Sequence, residues 1–261
     1  MPRTIVLLHG MWSNASCWDG YLRRLEARGF RCIAPTLRHH HVDPQSAPDP
    51  RLGTVGLLDY AGDLAEDLAK LGEKPIVIGH SMGGLLAQIL AGRGLVTALV
   101  LLTPASPRGI QALTPSVVRS FFDILTRWGF WRRPHRLSFE RAVYAMLNRL
   151  SPEDQRKVYA RFVFEAGRAA AEIGFWFLDR HRASAVNSAG VTCPVLVFGA
   201  AHDHLTPASV VRKVAALYSR TGTYRELPDH AHWVLAEPGW EQIVDSIADW
   251  LDRLPPSTSG P

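Results

Sequence analysis

Residues 74–91 join two different periodicities across one short turn. Lys74-Pro75-Ile76-Val77-Ile78 is an apolar, β-branched run, and Gly84-Leu85-Leu86-Ala87-Gln88-Ile89-Leu90-Ala91 is a helical one. Between them stands Gly79-His80-Ser81-Met82-Gly83. A strand that passes straight into a helix through Gly-x-Ser-x-Gly fits a parallel sheet with crossover helices. Gly79 and Gly83 carry no Cβ and leave room for a tight turn. Such a turn pushes Ser81 out of the backbone envelope. It also sets the next N–H at a helix N-terminus, where it faces developing negative charge. The five residues alone are a weak pattern; the strand before and the helix after make it informative.

Short apolar runs and helical patterns alternate along much of the chain. Strands are predicted at Ile5–Leu8, Cys32–Ala34, Ile76–Ile78, Val96–Leu102, Val195–Gly199 and Thr223–Leu227. Helical spacing covers Trp18–Arg28, Asp59–Leu71, the stretch from Met82 onward, Ser209–Tyr218 and Trp240–Leu254. The alternation predicts an α/β fold with a doubly wound, mostly parallel sheet of about six strands. It breaks over 105–190, which has helical periodicity, many aromatics and no clear strand. The expected organisation is a core of residues 1–104 and 191–254, a helical cap over 105–190 and a disordered tail at 255–261. Ligands of open α/β sheets bind beyond the carboxyl ends of the strands. The cap is therefore expected to roof that edge.

Charge narrows the partners. The net charge is +5, and residues 110–190 hold thirteen Arg and Lys against seven Asp and Glu, leaving the rest about neutral. Amphipathic helices with solvated arginines account for this. No motif supports nucleic-acid binding. No apolar stretch reaches 18 residues, so no membrane-spanning helix or stable membrane insertion is expected. The first strand pattern begins at Thr4, which leaves no space for a signal peptide. Cys17, Cys32 and Cys193 lack metal-ligand spacing and read as reduced thiols, which points to the cytoplasm. His39-His40-His41 is the one histidine run. Successive residues do not readily face one ion, so neither a metal nor a cofactor is expected.

Three further stretches follow predicted strands. His9-Gly10-Met11-Trp12 comes after the first; Gly10 permits close approach, and the Met11 N–H is a candidate second donor beside Met82 for an oxyanion. Gly199-Ala200-Ala201-His202-Asp203 follows the fifth, placing Asp203 at the carboxyl edge. Asp229-His230-Ala231-His232-Trp233 follows the sixth and offers two histidines. His232 lies deeper in the loop and leads toward the last helix, so it is favoured over His230 as the base. Ser…Asp…His in this order matches one known arrangement of nucleophile, orienting acid and base.

On these four stretches the chain resembles the α/β-hydrolase superfamily, in particular compact bacterial carboxylesterases and plant methylesterase-like members. The resemblance covers nearly all of the chain outside 105–190. It implies a nucleophile at Ser81, an acid at Asp203, a base at His232 and oxyanion donors at Met11 and Met82. Family lyases use a cap lysine, whereas Lys157, alone in this cap, stands in a polar run. Dehalogenases and epoxide hydrolases of this fold use an aspartate where Ser81 stands. The Gly-rich stretch that many members carry after the second of these strands is here Thr36–His41.

The implied activity is cleavage of a carboxylic ester with a hydrophobic or aromatic moiety. The same triad also suits a lactone, an amide or acyl transfer, including to peroxide; a non-catalytic ligand receptor is a further alternative. The expected partner is a small ester or lactone. Trp12, His80, Trp128, Phe130, Trp176 and Trp233 are the expected pocket residues.

Overall fold

A computed structural model describes residues 2–255. In chain order it contains β1 (Thr4–Leu8), α1 (Asp19–Ala27), β2 (Arg31–Ile33), α2 (Leu57–Ala69), β3 (Ile76–His80), α3 (Met82–Gly92) and β4 (Ala98–Leu102). Next come α4 (Pro115–Leu125), β5 (Pro134–His135), α5 (Phe139–Ala145), α6 (Pro152–Ala160), β6 (Glu165–Ala166) and α7 (Gly167–Gly174). The chain then returns through β7 (Val195–Ala200), α8 (Ala208–Ala216), β8 (Gly222–Leu227) and α9 (Trp240–Asp252).

Six strands form one sheet in the order β2-β1-β3-β4-β7-β8. All five neighbouring pairs are parallel. The first crossover runs from β1 out to β2; the second returns past β1 to β3. Right-handed crossovers in opposite directions place α1 and α2 on opposite faces. Accordingly α1 packs with α9, and α2 with α3. The strand order reverses between β1 and β3, which makes the loops after those two strands the natural ligand crevice.

Strands β1, β3, β4 and β7 are buried along their whole length, as near-continuous Val, Ile and Leu runs require when helices cover both faces. The edge strands β2 and β8 are only partly covered. Tyr21 of α1 stacks on Trp240 of α9, and its hydroxyl donates to the Val234 carbonyl at 3.0 Å.

Residues 105–190 hold one feature that their periodicity does not predict. Besides α4–α7 they hold a short antiparallel ribbon, β5 with β6. Two-residue strands are too short to leave a period-two signature, which is why the sequence reads as helix alone. Of the tail expected to be disordered, only Pro255 lies within the described residues. No helix among them is long and apolar enough to cross a membrane.

Candidate active site

The turn between β3 and α3 holds Ser81 at φ 55°, ψ −121°, a conformation costly for a residue with a Cβ, on the order of 1–3 kcal/mol. The surroundings enforce it. The Ser81 amide donates to the Leu102 carbonyl at 3.1 Å, and its carbonyl accepts from Gly84 and Ala105, both at 2.9 Å. A Cβ on Gly79 would lie 2.3 Å from the Gly83 carbonyl oxygen, and one on Gly83 would lie 2.2 Å from that of Leu8. Both glycines are thus demanded by backbone-to-backbone contact. The side chain of Ser81 is left facing a cavity.

The loop after β1 closes over this turn. A Cβ on Gly10 would come within 2.8 Å of the Ser81 Cβ. Met11 and Met82 both line the same cavity as Ser81. Neither of their amide N–H groups has a hydrogen-bond acceptor among the described residues. For Met82 the reason is general: the first amides of a helix have no intrahelical partner.

Asp203 and His232 meet at the same edge, both fully buried at the side chain, with Oδ2 2.8 Å from Nδ1. Asp203 Oδ1 accepts the amides of Leu205 and Thr206 at 2.7 and 2.8 Å. Burial opposes ionisation of Asp203. The adjacent His232 and the Thr206 hydrogen bonds outweigh it and hold the carboxyl below the usual range. The carboxylate therefore orients the ring and favours the Nδ1–H tautomer. The other nitrogen, Nε2, is buried without a hydrogen-bond partner among the described residues. His230 is not joined to Asp203; both its ring nitrogens lack hydrogen-bond partners among the described residues, and burial lowers its pKa.

Three neighbours hold the His232 peptide itself. His80 Nε2 donates to the His232 carbonyl at 2.8 Å, and Thr103 Oγ1 lies 3.3 Å from it. Burial, and then His232, push the His80 ring down to about 3, so it is a neutral donor. The Glu237 carboxylate accepts the amides of Ala231 at 2.7 Å and Trp233 at 3.1 Å, bracketing His232. Burial raises the Glu237 carboxyl to about 7. Sequence reasoning overlooked Glu237, Thr103 and Thr206. The available signal was an acid closing the apolar run Trp233-Val234-Leu235-Ala236.

The expected pocket residues divide. Trp12 and Phe130 line the cavity beside Ser81, with Phe121, Val117, Ile173 and Phe175 completing much of its apolar wall. Trp128 does not: it is 87% exposed, leaning on Trp131 at 5.3 Å between ring centroids. Trp176 lies under the Arg108 guanidinium instead. His80 and Trp233 do not line the cavity and pack edge to face against each other. Helical spacing says that an aromatic is present in the segment, but the packing of α4 and α7 decides which rings face inward.

The histidine run has a different use. His40 Nε2 lies 3.1 Å from Glu165 Oε2, fully buried, and the Tyr60 hydroxyl donates to Glu165 Oε1 at 2.8 Å. His39 pairs with Asp49, and His41 is exposed. No group of three or more His, Cys, Asp or Glu among the described residues is arranged to hold a metal ion.

A family model described as the alpha/beta hydrolase family matches residues 5–245. A pyrethroid hydrolase of Sphingobium wenxiniae is 35% identical over 80 residues, 31% of this chain and 27% of that protein. That match spans little more than a quarter of the relative's length. A pimeloyl-(acyl-carrier protein) methyl ester esterase of Pectobacterium carotovorum is 29% identical over 245 residues, 87% of this chain and 86% of its own. Among solved structures, a pyrethroid hydrolase from Sphingobium faniae JZ-2 superposes with a TM-score of 0.70 at 22% identity, covering 97% of this chain and 98% of that one. At that identity the likeness is one of fold.

Proposed function

We propose that the chain, which belongs to the alpha/beta hydrolase family, is a serine hydrolase that cleaves carboxylic esters through an acyl-enzyme on Ser81. The observation that carries this reading is the buried Asp203–His232 pair, with a free Nε2, at the sheet edge where a strained turn presents Ser81. The similarity to two proteins named for ester or pyrethroid hydrolysis agrees with it.

In this mechanism His232 Nε2 takes the Ser81 proton as Oγ attacks the ester carbonyl. The Met11 and Met82 amides receive the oxyanion. Asp203 stabilises the imidazolium, which gives its proton to the departing alcohol. Water, deprotonated by His232, then releases the acid and restores Ser81. The lining beside Ser81 is almost wholly apolar, so the reading favours a hydrophobic or aromatic moiety. Residues 105–190 act as a cap over a core of 1–104 and 191–254. The three free cysteines have thiols that burial pushes up, to about 12 at Cys17 and Cys32 and about 11 at Cys193, in keeping with inert thiols in a reducing cytoplasm.

A fluorophosphonate probe and an ester panel test this reading. The wild-type protein is expected to become labelled at Ser81 and to hydrolyse 4-nitrophenyl esters, with Ser81→Ala losing both. Absence of labelling together with equal activity in Ser81→Ala removes the reading.

A further inference from the structure

The cavity beside Ser81 measures only about 70 Å³. A cavity of roughly 150 Å³ is what one benzene ring occupies in a protein interior. An ester with an aromatic or long alkyl arm therefore does not fit between the walls as they stand. Immediately outside lies a groove of about 650 Å³ on the surface of the 105–190 segment. Two residues, Phe130 and Phe175, line both spaces. Their ring centroids are 6.1 Å apart, so the pair is a wall one side chain thick.

The two rings are held unequally. A Cβ on Gly167 would lie 1.8 Å from the Phe130 carbonyl oxygen and 2.5 Å from that of Arg133. The turn carrying Phe130 is thus clamped against the start of α7. Phe175 stands past the other end of α7, at φ −115°, ψ 38°, partly exposed. Its next aromatic neighbour is Phe177, which is half exposed. Phe175 is the less enclosed of the two rings, and a turn of it away from Phe130 would join the two spaces.

The groove is suited to apolar matter. Trp131, Ala171 and Leu178 line it. Three of its charged residues are engaged, Arg168 bonding Glu172 at 2.9 Å and the Thr54 carbonyl and Asp179 accepting the amides of His181 and Ala183, while Arg132 on its rim is exposed to solvent. Resting on the ester-hydrolase reading above, we propose that Phe175 is a movable partition, and that the outer groove is the subsite for the far aromatic or alkyl arm of an elongated neutral ester.

Two measurements on the full chain test this. The first compares kcat/KM for 4-nitrophenyl acetate and 4-nitrophenyl 6-phenylhexanoate, and for methyl acetate and 6-phenylhexyl acetate, so that either side of the ester can bear the arm. Phe175→Ala is expected to raise the long-to-short ratio at least fivefold for one pair. Trp131→Ala and Leu178→Ala are expected to lower that same ratio at least fivefold. The second measures binding of 6-phenylhexanol, which needs no hydrolysis, by calorimetry. Trp131→Ala is expected to weaken it at least fivefold. Parallel changes for long and short esters, or unchanged ratios and unchanged alcohol affinity, overturn the proposal. Failure to cleave any ester overturns the hydrolase reading alone, and the alcohol affinities then decide the groove. Circular dichroism of the exposed-site variants separates misfolding from either result.

Discussion

Glu237 shows how much a single residue can carry without touching a substrate. Its carboxylate accepts the amides on both sides of His232, while His80 donates to the His232 carbonyl from behind. The imidazole is therefore set by its own peptide as well as by Asp203. Retaining a carboxyl in this buried place has a consequence for pH. The Glu237 value is raised from 4.5 to about 7, with burial the leading cause. A raised group contributes its stability below the unfolded value and loses it as pH rises through the folded value. Thermal stability of the wild-type protein is thus expected to fall between about pH 4.5 and 7 by this contribution. Glu237→Gln, which cannot titrate, is expected to flatten that part of the profile. An unchanged Tm-against-pH slope in the variant contradicts the assignment.

Among the elements, β6 and β5 are the shortest strands, yet β6 carries a fully buried side chain bonded to two other parts of the fold. Glu165, in β6, meets His40 from the loop after β2 and Tyr60 from α2. Burial disfavours both charges, but their attraction and hydrogen bond outweigh it, raising His40 and lowering Glu165. The histidine contribution is complete below its unfolded value and lost as pH rises through its folded one. The glutamate contribution is complete above its unfolded value and lost as pH falls through its folded one. The tie is tightest between about pH 4.5 and 6.5 and slackens on either side. Hydrogen exchange, corrected for intrinsic rates, should show amides of β6 and α7 losing protection from pH 6 to 9. His40→Gln should remove most of that dependence; an identical loss in the variant rules the tie out.

For the whole molecule, the net positive charge comes from residues 110–190, with the rest of the chain about neutral. Arg127, Arg132, Arg133, Arg180 and Arg182 are exposed and make no ion pair among the described residues. Such a field steers anionic molecules, and salt screens it. The kcat/KM for an ester with a carboxylate far from the reacting bond should drop severalfold from 10 to 500 mM salt. That for a neutral ester of the same length should hold. Equal responses would mean that these arginines serve solvation alone.

Much of this architecture is legible in the amino-acid sequence. The strand order of events, the turn at Ser81 and the loops bearing Met11, Asp203 and His232 all follow local patterns a few residues long. Each lies directly after a strand, and parallel strands deliver all their carboxyl-end loops to one edge. What the chain alone left undecided depends on pairings across long separations. Glu165 meets His40 across 125 residues, and Phe130 meets Phe175 across three helices and a ribbon. Periodicity reports which face of one element is buried, not which element covers it. Hence Trp128, set among inward-facing aromatics in the sequence, points to solvent, while Phe175 stands at the wall. Local backbone preference, written in short stretches of chain, sets the sheet and the edge where its loops converge. Only tertiary packing decided which side chains share that edge and how wide the space between them is.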